Sequence, residues 1–311
     1  MLLKTQVIIN PESNQGRTKK RWEHIREALK FFIKEFKFEF TEKPNQAAEI
    51  SRAAIKDGTE LIVGVGGDGT MNEIANGFFE NEKPINPETT LGIVPSGTGS
   101  DFCRSLNIPF GLKNALQVIT QSPSNMIDIG RVKFRNHSDF DEERLFLNVS
   151  DFGIGGEVVH RMNQDKLKKK ASSYFRSLVT TFMSYKHKNL RIKIDDEDIP
   201  LQEYMIGAIS NGRIFGKGMK IAPTASLNDG LFDLVLVKGM KKFEFFRNVY
   251  KIYTGTHLSH PKISHMRGSQ IEVTPADFKE KVLIEVDGEQ VGSLPALFEI
   301  IPASLLVKSN L

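Results

Sequence analysis

The sequence predicts an α/β domain followed by a mostly antiparallel β-domain, in a chain of 311 residues. Three observations carry that expectation. The length is generous for one domain and comfortable for two. From Val7 to Pro95, short apolar runs alternate with segments of helical period, the pattern of a parallel sheet covered by helices. Beyond Met126 the pattern changes to short β-rich segments separated by turn signals. The division falls at residue 125, giving domains 1–125 and 126–311.

The elements follow in chain order. Residues 7–9 form an apolar strand ended by Asn10-Pro11. Residues 19–36 read as helix, with Trp22, Ile25, Leu29, Phe32, Ile33 and Phe36 on one face. Residues 36–40 are a second strand. A helix over 45–57 carries Ala47, Ile50, Ala54 and Ile55 and stops at Gly58. Residues 61–65 are a third strand, 71–79 a helix, and 91–94 a fourth strand bounded by Pro95. In the second half, strands are expected at 131–135, 145–149, 190–194, 204–210, 232–237, 270–274, 282–286 and 297–301. Helices are expected at 158–186 and 240–253.

Composition excludes several classes. Lysine and arginine number 42 against 38 acidic residues, which is no nucleic-acid-binding balance. The single cysteine, Cys103, forms no intramolecular disulfide, which fits a reducing compartment. It sits among Phe102, Leu106 and Ile108 and reads as a small buried apolar residue. Lys4 and Gln6 interrupt the N-terminal apolar stretch, so it does not read as a signal peptide. No apolar run approaches the roughly 18 residues of a membrane helix.

Three polar, glycine-bearing loops follow predicted strands. The sharpest is Gly64-Val65-Gly66-Gly67-Asp68-Gly69-Thr70, where absent Cβ atoms permit a tight turn and close approach of a ligand. Backbone N–H groups at the following helix start can face a phosphate, and Asp68 can hold a magnesium ion or its waters. The spacing is neither a P-loop nor GxGxxG. The others are Asn10-Pro11-Glu12-Ser13-Asn14-Gln15-Gly16 and Pro95-Ser96-Gly97-Thr98-Gly99-Ser100-Asp101-Phe102. In a doubly wound sheet all three lie at the carboxyl edge, where ligands bind. Together they argue for a nucleotide site.

These motifs, in this order, resemble the diacylglycerol kinase and sphingosine kinase superfamily. Residues 211–223 (NGRIFGKGMKIAP), 227–233 (LNDGLFD) and Val286-Asp287-Gly288-Glu289 look like its bacterial, soluble lipid-kinase branch, and the resemblance runs from about residue 5 to 305. It implies a doubly wound α/β nucleotide-binding domain, a β-sandwich-like lipid-binding domain and an active site in the interdomain cleft. It implies ATP held by Asn10, Pro11, Glu12, Ser13, Asn14, Thr41, Gly66, Gly67, Asp68, Gly69, Thr70, Met71, Asn72, Glu73 and Thr98. A magnesium ion is implied on the Asp229 side chain with backbone oxygens of Ser226 and Leu231. Asp287 and Glu289 are the implied catalytic carboxylates, with Glu289 favoured as base and Asp287 the alternative. The chain departs from the family at Asn14, where glycine is usual, and at Ser100, where asparagine is common. Asn14 tolerates the left-handed backbone the loop needs.

By their own chemistry, Asp287-Gly288 and Asn228-Asp229-Gly230 are turn signals. His257, His260 and His265 cluster without a zinc spacing, and read as loop or substrate-facing groups. The implied partner is a membrane lipid, diacylglycerol first, with a sphingoid base, another lipid alcohol or phosphatidylglycerol open. A cytoplasmic enzyme of this kind meets its substrate by peripheral contact with anionic lipid. Residues 158–188 are the expected docking element, with Lys168, Lys169 and Lys170 beside a stripe of Tyr174, Phe175, Leu178, Val179, Phe182 and Met183. The stripe itself reads rather as the packed face of a core helix, which leaves the lysine cluster as the better docking candidate. A homodimer stays open. NAD kinases share Gly-Gly-Asp-Gly-Thr, but the later motifs disfavour one. A non-catalytic nucleotide or lipid binder is disfavoured by the retained Asp68, Asp229, Asp287 and Glu289.

Overall fold

The computed structural model describes residues 3–97, 99–136, 141–164 and 180–311. It divides into two units: Met1–Ile129 with Pro302–Leu311, and Gly130–Ile301. The chain leaves the first unit within one strand, Ser124–Asn136, and returns within another, Glu289–Lys308.

In the first unit, β1 (Thr5–Ile9) pairs parallel with β2 (Lys37–Phe40) and with β3 (Leu61–Gly66). After a small hairpin of β4 (Phe79–Glu80) and β5 (Lys83–Pro84), β6 (Thr90–Pro95) extends the sheet parallel to β3. Every residue of β1 and β3 is buried, as expected for central strands covered on both faces. The expected helix over 19–36 is two helices, α1 (Ser13–Lys20) and α2 (Trp22–Ile33). Trp22, Ile25, Leu29 and Ile33 recur at helical spacing and join Val7, Val63 and Val65 in one core. Phe31 falls outside that stripe and is exposed. Next come α3 (Gln46–Lys56) and α4 (Asp68–Asn76), then α5 (Asp101–Ser105) and α6 (Leu112–Gln121), which were not anticipated.

The last residues also belong to this unit. Leu306 and Val307 pair parallel with Thr90 and Leu91, and the Asp128 carboxylate accepts the Ala303 N–H at 2.7 Å. The sequence division at 125 assigned this stretch to the second domain. The observed boundaries lie at 129/130 and 301/302, because pairing across more than 170 residues decides where the C-terminal segment packs.

The second unit is mostly antiparallel. It contains β7 (Ser124–Asn136, from Gly130 on), β8 (Asp141–Phe146), β9 (Val149–Gly153), β10 (Lys188–Ile194), β11 (Glu197–Ser210), β12 (Phe232–Lys238), β13 (Ile263–Gly268), β14 (Gln270–Pro275), β15 (Leu283–Val286) and β16 (Glu289–Lys308, to Ile301). Neighbours run β13-β12-β11-β10-β14-β16, while β9 pairs β11 and β15. Along β10 the inward Leu190, Ile192 and Ile194 alternate with exposed residues, the two-residue period of a half-buried strand. They meet Phe146, Phe232 and Phe298 in one core. Of the expected helix at 158–186, α7 (Ile154–Gln164) and residues 180–184 are described, and 165–179 lie outside the described residues. The helix at 240–253 is two short ones, α8 (Lys242–Asn248) and α9 (Lys251–Thr254). Among the described residues, no helix is long and apolar enough to cross a membrane.

Candidate active site

In the first unit, the loops after β1, β2, β3 and β6 leave from one sheet edge. Three backbone bonds carry the ladder into them: Asn10 N–H to Val65 O, Thr41 N–H to Ile9 O, and Ser96 N–H to Gly66 O, at 2.7–3.0 Å. The loops are then tied to each other. Asn10 Nδ2 donates to Thr70 Oγ1 at 3.0 Å, and Asn10 Oδ1 accepts the Glu12 N–H. The Thr18 hydroxyl bonds the hydroxyls of Ser13 and Ser96. Asn14, Gln15 and Gly16 all adopt positive φ, so the left-handed backbone expected at Asn14 is present.

Gly67 and Gly97 meet backbone to backbone. A Cβ at Gly97 would lie 2.6 Å from the Gly67 Cα, so both loops depend on the missing side chain. Asp68 binds the two loops together. Its oxygens accept the N–H groups of Asp101 at 3.1 Å and Phe102 at 3.2 Å, and so cap α5, whose own N-cap Ser100 makes no side-chain cap bond. The magnesium role open to Asp68 from sequence is thus joined by a structural one. Gly67 is the N-cap of α4, so the amides of Asp68, Gly69 and Thr70 carry no intrahelical bond and suit a phosphate.

Two of the residues expected at the nucleotide also have structural partners within the unit. Met71 is buried against Gly64, where its sulfur would clash with any Cβ. Glu73 accepts the Ala47 N–H at the start of α3, at 3.3 Å. Thr98 lies outside the described residues.

In the second unit, Asp287-Gly288 forms the two-residue hairpin turn between β15 and β16, with positive φ at both positions. The Asp287 carboxylate accepts N–H groups from Leu147 at 2.7 Å and from Asn148 and Val149 at 3.1 Å. Glu289, two residues on, is exposed. Beneath the turn lies a carboxyl pair that sequence reading missed. Glu285 stands directly across from Asp151, and both are buried. Glu285 Oε1 accepts the Gly288 N–H, and Asp151 accepts the Gly156 N–H at the start of α7. The signal was present, as a lone glutamate inside the apolar run Val282–Val286, but nothing local names its partner.

Burial raises Asp151 to about 6, and burial together with the Asp151 charge pushes Glu285 well above the usual carboxylate range. Both carboxyls are therefore biased toward their protonated forms. A raised carboxyl binds more protons folded than unfolded, so stability falls as pH climbs from the unfolded value, roughly 4, through the folded ones. One proton of difference is worth ~1.4 kcal/mol per pH unit. Glu285→Gln keeps an acceptor for Gly288 and a donor for Asp151. Thermal unfolding followed across neutral pH should show this slope flattened in the variant. An unchanged slope would exclude the pair as its source.

Asp229 lies in the expected Asn228-Asp229-Gly230 turn. Its Oδ1 accepts the Leu231 N–H at 3.2 Å, and its Oδ2 accepts a bond from Arg267. Arg267 also approaches Asp233 at 3.5 Å. The expected donors are one carboxylate and two carbonyls, hard oxygens of the kind magnesium takes. The chemistry fits, with Arg267 as the competing cation.

Two of the clustered histidines and the cysteine have partners or packing inside the protein. His257 is buried on the Ile221 carbonyl at 2.9 Å, and His265 Nε2 bonds the buried Asp233 at 2.5 Å. Cys103 is buried, and burial pushes its thiol up.

Comparison with known proteins fits this geometry. Residues 4–132 match the diacylglycerol kinase catalytic domain, and residues 148–309 match the YegS C-terminal NAD kinase beta sandwich-like domain. A diacylglycerol kinase of Staphylococcus carnosus is 27% identical over 299 residues, covering 96% of this chain and 92% of that protein. The crystal structure of a diacylglycerol kinase from Bacillus anthracis str. Sterne superposes with TM-score 0.71 at 19% identity, covering 99% of this chain and 97% of that one. An NAD kinase from Archaeoglobus fulgidus, in complex with ATP, shares the fold at TM-score 0.51 and 15% identity, over 98% and 94% of the two chains. The chain is a kinase and belongs to the diacylglycerol-kinase-like family of lipid kinases.

Proposed function

We propose that this kinase transfers the γ-phosphoryl group of ATP to the hydroxyl of a membrane lipid, diacylglycerol first, giving phosphatidic acid. The observation that carries this reading furthest is the division of labour in the 287–289 turn. Asp287 spends its carboxylate on three backbone N–H groups, while Glu289 stands exposed beside it. Asp287 then fixes the turn and Glu289 is the base. The lipid oxygen forms a bond to the γ-phosphorus as the bond to the β–γ bridging oxygen breaks. ADP leaves with that electron pair, and Glu289 takes the hydroxyl proton. The amides of Asp68, Gly69 and Thr70 receive phosphate oxygens.

Asp229 and the carbonyls of Ser226 and Leu231 would hold magnesium, which supplies charge neutralisation when bound. Arg267 competes for the same carboxylate. Asp229→Ala should therefore raise the magnesium concentration needed for half-maximal activity, and Arg267→Ala should lower it. Magnesium-dependent thermal stabilisation should shift the same way in each variant. If neither variant moves the midpoint, the ion does not bind at this turn.

A panel of acceptors tests the choice of lipid. Diacylglycerol, a sphingoid base and phosphatidylglycerol are presented separately in mixed micelles with ATP. The reading expects the highest kcat/KM with diacylglycerol. Preference for another lipid alcohol would replace the substrate and keep the reaction.

A further inference from the structure

Residues 240–254 are apolar on two opposite sides. Phe245 and Ile252 face inward, where Phe245 stacks on Phe182 at 4.1 Å and Ile252 packs beside Ile221 and Val235. Phe243, Tyr250 and Tyr253 lie at helical spacing on the outward side, 75%, 61% and 53% exposed, and Phe246, 43% exposed, borders that side while its ring also contacts Phe182 and Phe245. One aromatic in water is ordinary, but four in a row along two successive helices make a continuous apolar stripe. An exposed aromatic stripe of this extent beside a face already packed inward marks a surface that meets protein or lipid.

The charges around the stripe select between these. Residues 241–254 hold Lys241, Lys242, Arg247 and Lys251 against a single acid, Glu244. The Glu244 carboxylate already accepts a bond from Lys262 at 2.7 Å, which holds it below its ordinary pKa. Lys220 is exposed, and its backbone N–H bonds the Ile252 carbonyl at 2.9 Å, placing one more cation beside α9. Tyrosine and phenylalanine with basic flanks match the lipid–water interface, where rings enter the headgroup layer and cations meet anionic phosphates.

We propose that the Phe243–Phe246–Tyr250–Tyr253 stripe docks on an anionic bilayer surface, with Lys220, Arg247 and Lys251 facing the headgroups. This rests on the lipid-kinase reading only in the choice of partner, since aromatics and charges alone point to the same surface. The docking element expected over 158–188 differs. Its lysine cluster lies outside the described residues, and Phe182 is buried under Phe245.

The test is co-sedimentation with phosphatidylcholine vesicles with and without phosphatidylglycerol. Phe243→Ser, Tyr250→Ser and Tyr253→Ser are combined; Phe246 is spared because its ring contacts Phe182 and Phe245. Binding of the triple variant to mixed vesicles should fall at least about tenfold. Arg247→Glu with Lys251→Glu should abolish the preference for phosphatidylglycerol, and added salt should weaken the unsubstituted chain likewise. Insertion is read separately with Phe243→Cys carrying a polarity-sensitive dye. The only native cysteine is buried, so labelling goes to the new one. The dye should shift to the blue on vesicle binding.

Unsubstituted-like binding by the triple variant, or bound protein without a dye shift, overturns the proposal. So does stripe-dependent self-association in the absence of vesicles, because a second copy would then be the occupant. The kinase reading is scored apart, with ATP and a water-soluble short-chain diacylglycerol. The triple variant should turn this substrate over at the unsubstituted rate. If no turnover occurs but vesicle binding depends on the stripe, docking stands and the substrate reading falls.

Discussion

Glu289→Gln is expected to lower kcat by about 10²–10⁴-fold with the KM for ATP nearly unchanged. A lipid alcohol is a poor nucleophile at neutral pH, and its proton has to leave as the phosphoryl group arrives. Glutamine keeps the size and polarity of Glu289 and cannot take that proton. Asp287→Asn should act differently. It weakens up to three backbone bonds at once, so it should lower thermal stability along with turnover. Steady-state kinetics and unfolding curves on both variants separate base from brace. If Glu289→Gln keeps full turnover while Asp287→Asn loses it with stability intact, the roles are reversed.

The second large effect is expected at Asp68. Asp68→Ala leaves two N–H groups at the start of α5 without their acceptor, in residues that are almost completely buried. The cost is about 1–3 kcal/mol per group, and the two glycine loops lose their shared clasp. Displacing a phosphate-binding loop by an ångström costs about a hundredfold in rate. The variant should therefore show a lower unfolding temperature and a kcat/KM for ATP reduced by about that factor. Wild-type kcat/KM for ATP in a well-folded variant would remove these loops from the nucleotide site.

What was legible in the sequence was what local chemistry encodes. The burial of β1 and β3, the turn at Asp287-Gly288, the left-handed Asn14 and the buried Cys103 all follow from residue type and immediate neighbours. Three glycine loops at one sheet edge could be read because strand–helix alternation dictates where the strands end. What was missed depends on partners far along the chain. Asp151 finds Glu285 across 134 residues, and Asp128 holds Ala303 across 175. The clasp that Asp68 makes on the amides of Asp101 and Phe102 was hidden because nothing near it in sequence reveals them. The outward aromatics of 243–253 were hidden for another reason. Period alone shows that a helix is apolar, and only packing shows which of its sides is already covered.

The central claim, that this chain phosphorylates a lipid hydroxyl, is tested most directly by product identification. The protein is incubated with γ-labelled ATP and a total lipid extract, and in parallel with NAD. Mass spectrometry should find label in a phosphorylated lipid, with phosphatidic acid rising as diacylglycerol falls and no NADP formed. Labelled NADP with an unchanged lipid extract would contradict the account.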